Sequence, residues 1–182
     1  MNRNHSLIER AVALAVRAHD GQMRKEAPMP YIVHPIEVGL ILARHGFSDV
    51  VIAAGIVHDL VEDTNITADE LRHLLGDDVT DIVVPVTHDD TLSWEEKKKA
   101  YIESVRGAGS EAKAASLADK IANAYSLIAA HQAQGSTIWS YFNAGREKKI
   151  WFEEAMLDMF RASLTHSMVD EYEGLVVEMK AL

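Results

Sequence analysis

The sequence predicts an all-α fold of roughly eight to ten helices. Apolar residues recur with helical spacing along most of the 182 residues, and the segments between them carry the glycines and prolines that end helices. No stretch shows the sustained two-residue alternation of a half-buried strand. With 48% hydrophobic and 25% charged residues, a chain of this length can bury a core of its own, so we expect one domain over residues 1–182.

The N-terminal part is expected to hold two helices joined by a loop. The first helix covers residues 7–20, where a serine N-cap and a glycine stop frame an apolar face. Prolines make residues 21–31 a loop, which carries the basic pair Arg24 and Lys25. The second helix begins at His34, just before a proline. A helix N-terminus disfavours a cationic imidazole, so the neutral form that can bind a metal is favoured. Taken alone, a histidine at this position is more often a cap or a hydrogen-bonded structural residue.

The third helix is expected over residues 50–64, VVIAAGIVHDLVEDT, which begin as an apolar run and end in four polar residues. At about 3.6 residues per turn, these four side chains would form one stripe across two neighbouring turns. They are His58, Asp59, Glu62 and Asp63. Three acids near a helix C-terminus oppose the helix dipole at about 0.3–1 kcal/mol each, and a bound cation would offset that cost. A solvated acidic helix end is the alternative, but the His-Asp doublet behind a buried run favours a cation site.

Further helices are expected over residues 67–75, 77–86, 93–105, 110–134, 144–162 and 166–180. The segment 93–105 contains a run of lysines, which is usually a solvated face. The Ala-rich segment 110–134 places Asp119 and Asn123 one turn apart, on a face that adjoins its apolar stripe. An aspartate in such a helix usually faces solvent, so spacing alone assigns it no function.

The composition limits the chemistry and the partners. Because there are no cysteines, disulfides and thiolate sites are excluded, and a metal would be held by imidazole and oxygen. The formal net charge of −10 argues against a nucleic-acid polymer or an anionic membrane as partner, but not against a small phosphorylated nucleotide. No apolar run approaches the roughly 20 residues that span a bilayer, and we expect a cytoplasmic protein. The sequence leaves the oligomeric state open, so no homo-oligomer is predicted.

In chain order, His34, the doublet His58-Asp59 and Asp119 resemble the His…His-Asp…Asp pattern of the HD superfamily of metal-dependent phosphohydrolases. Three longer stretches, AHDGQMRKEAPMPYIVHPIEV, HDLVEDT and LADKIAN, resemble blocks of the RelA/SpoT hydrolase domain, and above all of single-domain small alarmone hydrolases. The resemblance implies an HD-type helical bundle with a metal site between helices. It also implies a guanosine-3′,5′-bis(diphosphate) 3′-pyrophosphohydrolase of the stringent response, which removes the 3′-pyrophosphate of the alarmone (p)ppGpp by attack of metal-bound water.

The same resemblance implies roles for individual residues. The metal ligands would be His34, His58, Asp59 and Asp119, and the ion would be a single Mn²⁺, which the family usually takes and which suits a mixed nitrogen and oxygen site. Glu62 and Asp63 match the acidic pair that positions or deprotonates the attacking water and protonates the leaving group. Which of the two does which stays open.

The substrate contacts implied by the resemblance are basic or polar. Arg24 matches the position whose guanidinium stacks on guanine, and Lys25 and Asn123 match positions near the ribose and phosphates. Candidates for the distal phosphates are Lys98, Lys99 and one of Arg146 and Lys148.

The chain departs from the family at several basic positions. His88 stands where the family often has the lysine of Val-Thr-Lys, Ser116 replaces a lysine, and Tyr125 replaces an arginine. These losses leave open an HD phosphohydrolase that acts on another nucleotide, such as an adenine alarmone or a dinucleotide cofactor phosphate. A non-catalytic alarmone-binding module on the same scaffold is a further alternative, but the complete set of ligands and acids argues against it.

Overall fold

The protein, seen in a computed structural model, is built from packed α-helices, and the structure describes residues 6–24, 29–88, 91–142 and 144–182. The helices are α1 (Leu7–Ala18), α2 (Val33–Arg44), α3 (Asp49–Ile56), α4 (Leu60–Asp63), α5 (Ala68–Leu75), α6 (Asp77–Val83), α7 (Trp94–Gly107), α8 (Ser110–Gln134), α9 (Gly145–Ser163) and α10 (Ser167–Ala181). Short 3-10 helices cover Val84–Val86 and Gly135–Tyr141. The described ranges contain no β-strand, and the prediction of an all-α fold is confirmed.

The centre of the bundle is formed by α3 and α8. Helix α3 packs against α1, α2, α6 and α8, while α8 also packs against α2 and α10. Every residue from position 51 to position 60 is buried, because this part of the chain is enclosed by helices on several sides. None of the helices in the described ranges is long and apolar enough to cross a lipid bilayer. The buried centre thus lies directly beside the residues of the predicted site.

The prediction of one helix over residues 50–64 was wrong. Helix α3 ends at Ile56, α4 begins at Leu60, and a turn separates them. In an unbroken helix the carbonyl of Gly55 would accept a hydrogen bond from the amide of Asp59. It lies instead 2.8 Å from Nδ1 of His58, which donates to it. The histidine side chain therefore replaces a helical backbone bond, and His58 and Asp59 lie on a turn rather than on a helical stripe.

Two glycines allow α2 and α3 to approach closely. A Cβ added at Gly55 would lie 2.4 Å from Cδ1 of Leu42 and 3.2 Å from Cγ1 of Val38. A Cβ added at Gly39 would lie 2.5 Å from Cγ1 of Ile56. Leu42 is completely buried and cannot move aside into solvent. Because α3 leads into the turn described above, the distance between these helices sets where that turn lies.

We expect Gly55→Ala to lower the free energy of unfolding by about 1–2 kcal/mol, because overpacking of the core costs more than the gain in helix propensity returns. Gly174→Ala in α10 is the matched control, since a Cβ there meets no atom within 4 Å. That variant is expected to gain up to about 1 kcal/mol. Chemical denaturation of both variants measures the difference, and a Gly55 variant as stable as the wild type would contradict the close approach.

Candidate active site

A cleft of about 670 Å³ contains most of the side chains that the sequence analysis singles out. One part of its lining consists of histidines and acids from α2, the turn before α4, α4 itself and α8. The other part consists of lysines and aromatic side chains from α7, α8, the second 3-10 helix and α9. The cleft is therefore acidic on one wall and basic on the other.

Four buried residues converge on the acidic wall. His34, His58 and Asp59 each offer one ligand atom, and these three atoms lie within 4.8 Å of one another. Asp119 joins them from α8, since its Oδ1 lies 3.0 Å from Nε2 of His34 and 3.5 Å from Nε2 of His58. The structure thus brings together the two imidazoles and two carboxylates that the sequence groups as metal ligands.

The charges of this cluster suit a cation. Burial alone would lower the pKa of His58, but the negative charge of Asp59 and the hydrogen bond with Asp119 raise it to about 9. Burial would likewise raise the pKa of Asp119, yet the charge of Lys120 and hydrogen bonds with the two histidines hold it well below its ordinary value. The raised pKa of His58 reflects the negative charge of the carboxylates around it, and a divalent ion that displaces its proton meets a hard, mixed set of carboxylate oxygens and imidazole nitrogens.

Two residues to which the sequence analysis assigned no role hold Asp59 in place. Nε2 of His19 lies 3.1 Å from Oδ1 of Asp59, and the hydroxyl of Tyr31 donates to Oδ2 at 2.7 Å. On its other side, Nδ1 of His19 lies 2.7 Å from Oε1 of Gln22. His19 is buried, and although burial would lower its pKa, the hydrogen bond and charge of Asp59 raise it. Contacts of this kind fix the orientation of a ligating carboxylate.

The acidic pair lines the cleft next to this cluster, and its two members have different surroundings. Oε2 of Glu62 accepts hydrogen bonds from the backbone N–H and from Nδ1 of His88, at 3.0 and 2.9 Å. Burial would raise the pKa of Glu62, but these contacts lower it. Oδ2 of Asp63 lies 3.2 Å from the Tyr31 hydroxyl, whose single hydrogen is directed to Asp59 at the shorter distance of 2.7 Å. Burial and the charges of Asp59 and Glu62 raise the pKa of Asp63.

Three of the predicted substrate-binding residues line the cleft: Arg24, Lys98 and Asn123. The amide of Asn123 donates to Oδ1 of Asp119 at 2.6 Å, so in this structure it orients a ligand candidate. Lys25, also predicted to contact the substrate, lies outside the described residues.

Three other predicted phosphate-binding residues are not among those that line the cleft. They are Lys99, Arg146 and Lys148. Arg146 donates to a backbone carbonyl of α10 at 2.8 Å, and Lys148 forms an ion pair with Glu95 at 3.0 Å. Lys149 lines the cleft in their place, because one step along a helix turns the side chain by about 100°.

The basic wall consists of lysines held against aromatic rings. Nζ of Lys98 and Nζ of Lys120 lie 4.5 and 5.2 Å from the centre of the Phe152 ring. Lys120 also forms an ion pair with Oδ2 of Asp119 at 2.9 Å. Burial and the charges of Lys120 and Lys149 lower the pKa of Lys98 to about 7. In a protein with a net charge of −10, this local concentration of cations suits a phosphorylated ligand.

Comparison with known families matches residues 11–148 to the HD domain. The chain belongs to the HD domain family. Within it, the guanosine-3′,5′-bis(diphosphate) 3′-pyrophosphohydrolase MESH1 of Xenopus tropicalis is 39% identical over 126 residues, which is 68% of this chain and 70% of the relative. The bifunctional (p)ppGpp synthase/hydrolase SpoT of Escherichia coli is 35% identical over 99 residues, 54% of this chain and 14% of SpoT.

A solved structure extends the likeness to the HD fold as a whole. It belongs to a metazoan ortholog of SpoT that hydrolyses ppGpp, and it superposes with a TM-score of 0.83 at 25% identity over 100% of both chains. The resemblance to RelA/SpoT-type and small alarmone hydrolases is therefore confirmed.

Departures from the usual HD hydrolase sequence have local structural explanations. The buried hydroxyl of Ser116 pairs with the Tyr101 hydroxyl at 2.8 Å, inside the protein. The hydroxyl of Tyr125 donates to Glu171 of α10 at 2.9 Å, and its side chain is exposed. His88 differs from these two because it contacts one of the acidic pair.

Proposed function

We propose that this protein is a metal-dependent (p)ppGpp 3′-pyrophosphohydrolase. The observation that carries the proposal is the convergence of two buried histidines and two buried aspartates next to an acidic pair, in one cleft with a basic wall. Relatives that share the HD domain are named as enzymes of this activity, which supports the same substrate class here.

His34, His58, Asp59 and Asp119 would hold one divalent ion, for which we propose Mn²⁺ because the donors are imidazole nitrogen and carboxylate oxygen. When bound, such an ion lowers the pKa of a water molecule and polarises a phosphoryl oxygen. His19 keeps the Asp59 carboxylate in position from the side of α1.

The acidic pair supplies the proton transfers. In the reaction the water oxygen bonds to the phosphorus attached to the ribose 3′ oxygen, and the bond between that phosphorus and the 3′ oxygen breaks. The water must lose a proton, and the 3′ oxygen must gain one. Two N–H groups of His88 point at Glu62 and favour its carboxylate form, so Glu62 accepts the proton. Asp63, the other acid in the cleft, returns a proton to the leaving group.

The remaining lining residues bind the substrate. Arg24 stacks its planar guanidinium on the guanine base. Lys25 lies outside the described residues, and its contact with the ribose and phosphates stays a prediction from the family resemblance. Lys98 and Lys149 provide positive charge to the distal phosphates from the basic wall. Lys99, Arg146 and Lys148 have no part in the proposal, because they do not line the cleft.

The test is product analysis with Mn²⁺ and a panel of nucleotides. The panel holds ppGpp, the adenine 3′-pyrophosphorylated nucleotide and a phosphorylated dinucleotide cofactor. We expect pyrophosphate and GDP from ppGpp. Faster release of orthophosphate from the dinucleotide would favour the second candidate, a phosphohydrolase of another nucleotide, which the loss of basic residues at positions 88, 116 and 125 supports. Binding of ppGpp without any product would indicate a regulatory module.

A further inference from the structure

His88 links the acidic pair to the basic wall of the cleft. Its Nδ1 and its backbone nitrogen lie 2.9 and 3.0 Å from the same oxygen of Glu62, Oε2. Its Nε2 lies 3.1 Å from Nζ of Lys98. The imidazole stacks on the Tyr101 ring with 4.1 Å between ring centres and 7° between planes. The side chain is thus held on two edges and on one face.

Both edge contacts require the same form of the ring. An ionised carboxylate only accepts hydrogen bonds, so Nδ1 must carry the hydrogen that it donates to Glu62. Lys98, whose pKa is lowered to about 7, only donates while it is an ammonium group, and in that form Nε2 must be the unprotonated nitrogen that accepts from it. The two contacts together select the neutral imidazole with its hydrogen on Nδ1. Burial and the charge of Lys98 lower the pKa of His88, which agrees with a neutral ring.

We propose that His88 is a positioning residue for the hydrolysis: it holds Oε2 of Glu62 through two hydrogen bonds and leaves Oε1 for the attacking water, while the ammonium form of Lys98 keeps Nε2 without a hydrogen and the ring neutral. This inference rests on the proposed function. Both hydrogen bonds to Oε2 come from His88, one from its backbone and one from its side chain. Together they restrain rotation of the Glu62 carboxylate. The lysine that the family often has here could not accept from Lys98.

Three substitutions separate the two contacts. His88→Ala removes both side-chain bonds. His88→Asn retains an amide N–H close to the position of Nδ1 and loses the contact with Lys98. His88→Gln carries its amide further out, near the position of Nε2, and loses the contact with Glu62. His73→Ala is the control, because His73 is exposed on α5.

For His88→Ala we expect a fall in kcat of about 10–100-fold, the usual effect of removing a residue that orients a reacting group. KM should stay within about 3-fold, because ground-state binding is not changed. His88→Asn should recover most of the lost kcat, and His88→Gln should not. An unchanged kcat in His88→Ala would overturn the inference. So would a fall in kcat for His88→Asn as large as that for His88→Ala, or a rise in KM with no change in kcat.

A measurement without substrate separates this inference from the proposed function. Nitrogen-15 NMR of the histidine side chains, with Mg²⁺ as a diamagnetic ion, should show His88 protonated on Nδ1 only. Lys98→Met should let Nε2 take up a hydrogen as well, because Glu62 still requires the hydrogen on Nδ1 and no ammonium group then faces Nε2. A hydrogen on Nε2 in the wild type would overturn the inference even if the enzyme is active. A wild type that fails to cleave ppGpp but shows the Nδ1 tautomer would refute the hydrolase proposal and leave the geometry of His88 standing.

Discussion

Asp59→Ala is expected to abolish metal binding and turnover together. The carboxylate is buried, shares the cluster with His34 and His58, and is the acceptor for both His19 and Tyr31. Its removal takes away a ligand and also frees the two side chains that oriented it. Loss of a residue that only supports a ligand costs about 10–100-fold in metal affinity, so loss of a ligand should cost at least about 100-fold.

The measurement is the stoichiometry of bound Mn²⁺ together with the rate of pyrophosphate release. Asp158→Ala is the matched control, because Asp158 is an exposed aspartate of α9 that does not line the cleft. Circular dichroism of both variants shows whether the helices remain. A folded Asp59 variant that binds one ion and turns over at the wild-type rate would show that Asp59 is not a ligand.

The helices could be predicted because their signals are local. Helix α8 occupies the predicted residues, Ser110–Gln134, since its start and its glycine stop are adjacent in sequence to its periodic part. The serine N-cap of α1 is also present, since the Ser6 side chain accepts a hydrogen bond from the backbone N–H of Glu9. Such patterns act within one or two turns, which is the range that spacing arguments cover.

The interruption between α3 and α4 could not be predicted from periodicity. Residues 50–64 run from apolar to polar in a pattern that fits one continuous helix. What breaks the helix is a side-chain bond from His58 to the carbonyl of Gly55, which competes with the backbone. A histidine is not among the residues usually associated with such local bonds, so its effect is visible only in the structure.

The contacts that orient Asp59 and Glu62 could not be predicted from the sequence either. His19 and Asp59 are forty positions apart, and His88 is twenty-six positions from Glu62. Each pair is brought together by the packing of helices, for which no spacing rule exists. The signal that could have found His19 was its place in the stretch AHDGQMRK, which carries the family resemblance. The sequence named one of Arg146 and Lys148 as a phosphate contact, whereas Lys149 lines the cleft, because one step along α9 changes the face of the helix.

Glu62→Gln is expected to retain the metal and to lose about 10²–10⁴-fold in turnover, the usual contribution of general acid–base catalysis. The carboxamide has nearly the shape of the carboxylate, and its oxygen can accept the two hydrogen bonds of His88. Its NH₂ group then stands where the free carboxylate oxygen was, and an amide cannot take a proton from water. The loss should therefore appear in kcat, with KM and Mn²⁺ stoichiometry close to those of the wild type.

Glu103→Gln is the matched control, since Glu103 is exposed on α7 and outside the cleft lining. Normal turnover in the Glu62 variant would rule out its role as proton acceptor. Loss of the bound ion in the Glu62 variant would contradict the expectation that it retains the metal, and would indicate that Glu62 is a metal ligand. His88→Ala keeps the Glu62 carboxylate and loses its orientation, whereas Glu62→Gln keeps the orientation and loses the base. A larger fall in kcat for Glu62→Gln than for His88→Ala is therefore expected if proton transfer outweighs positioning.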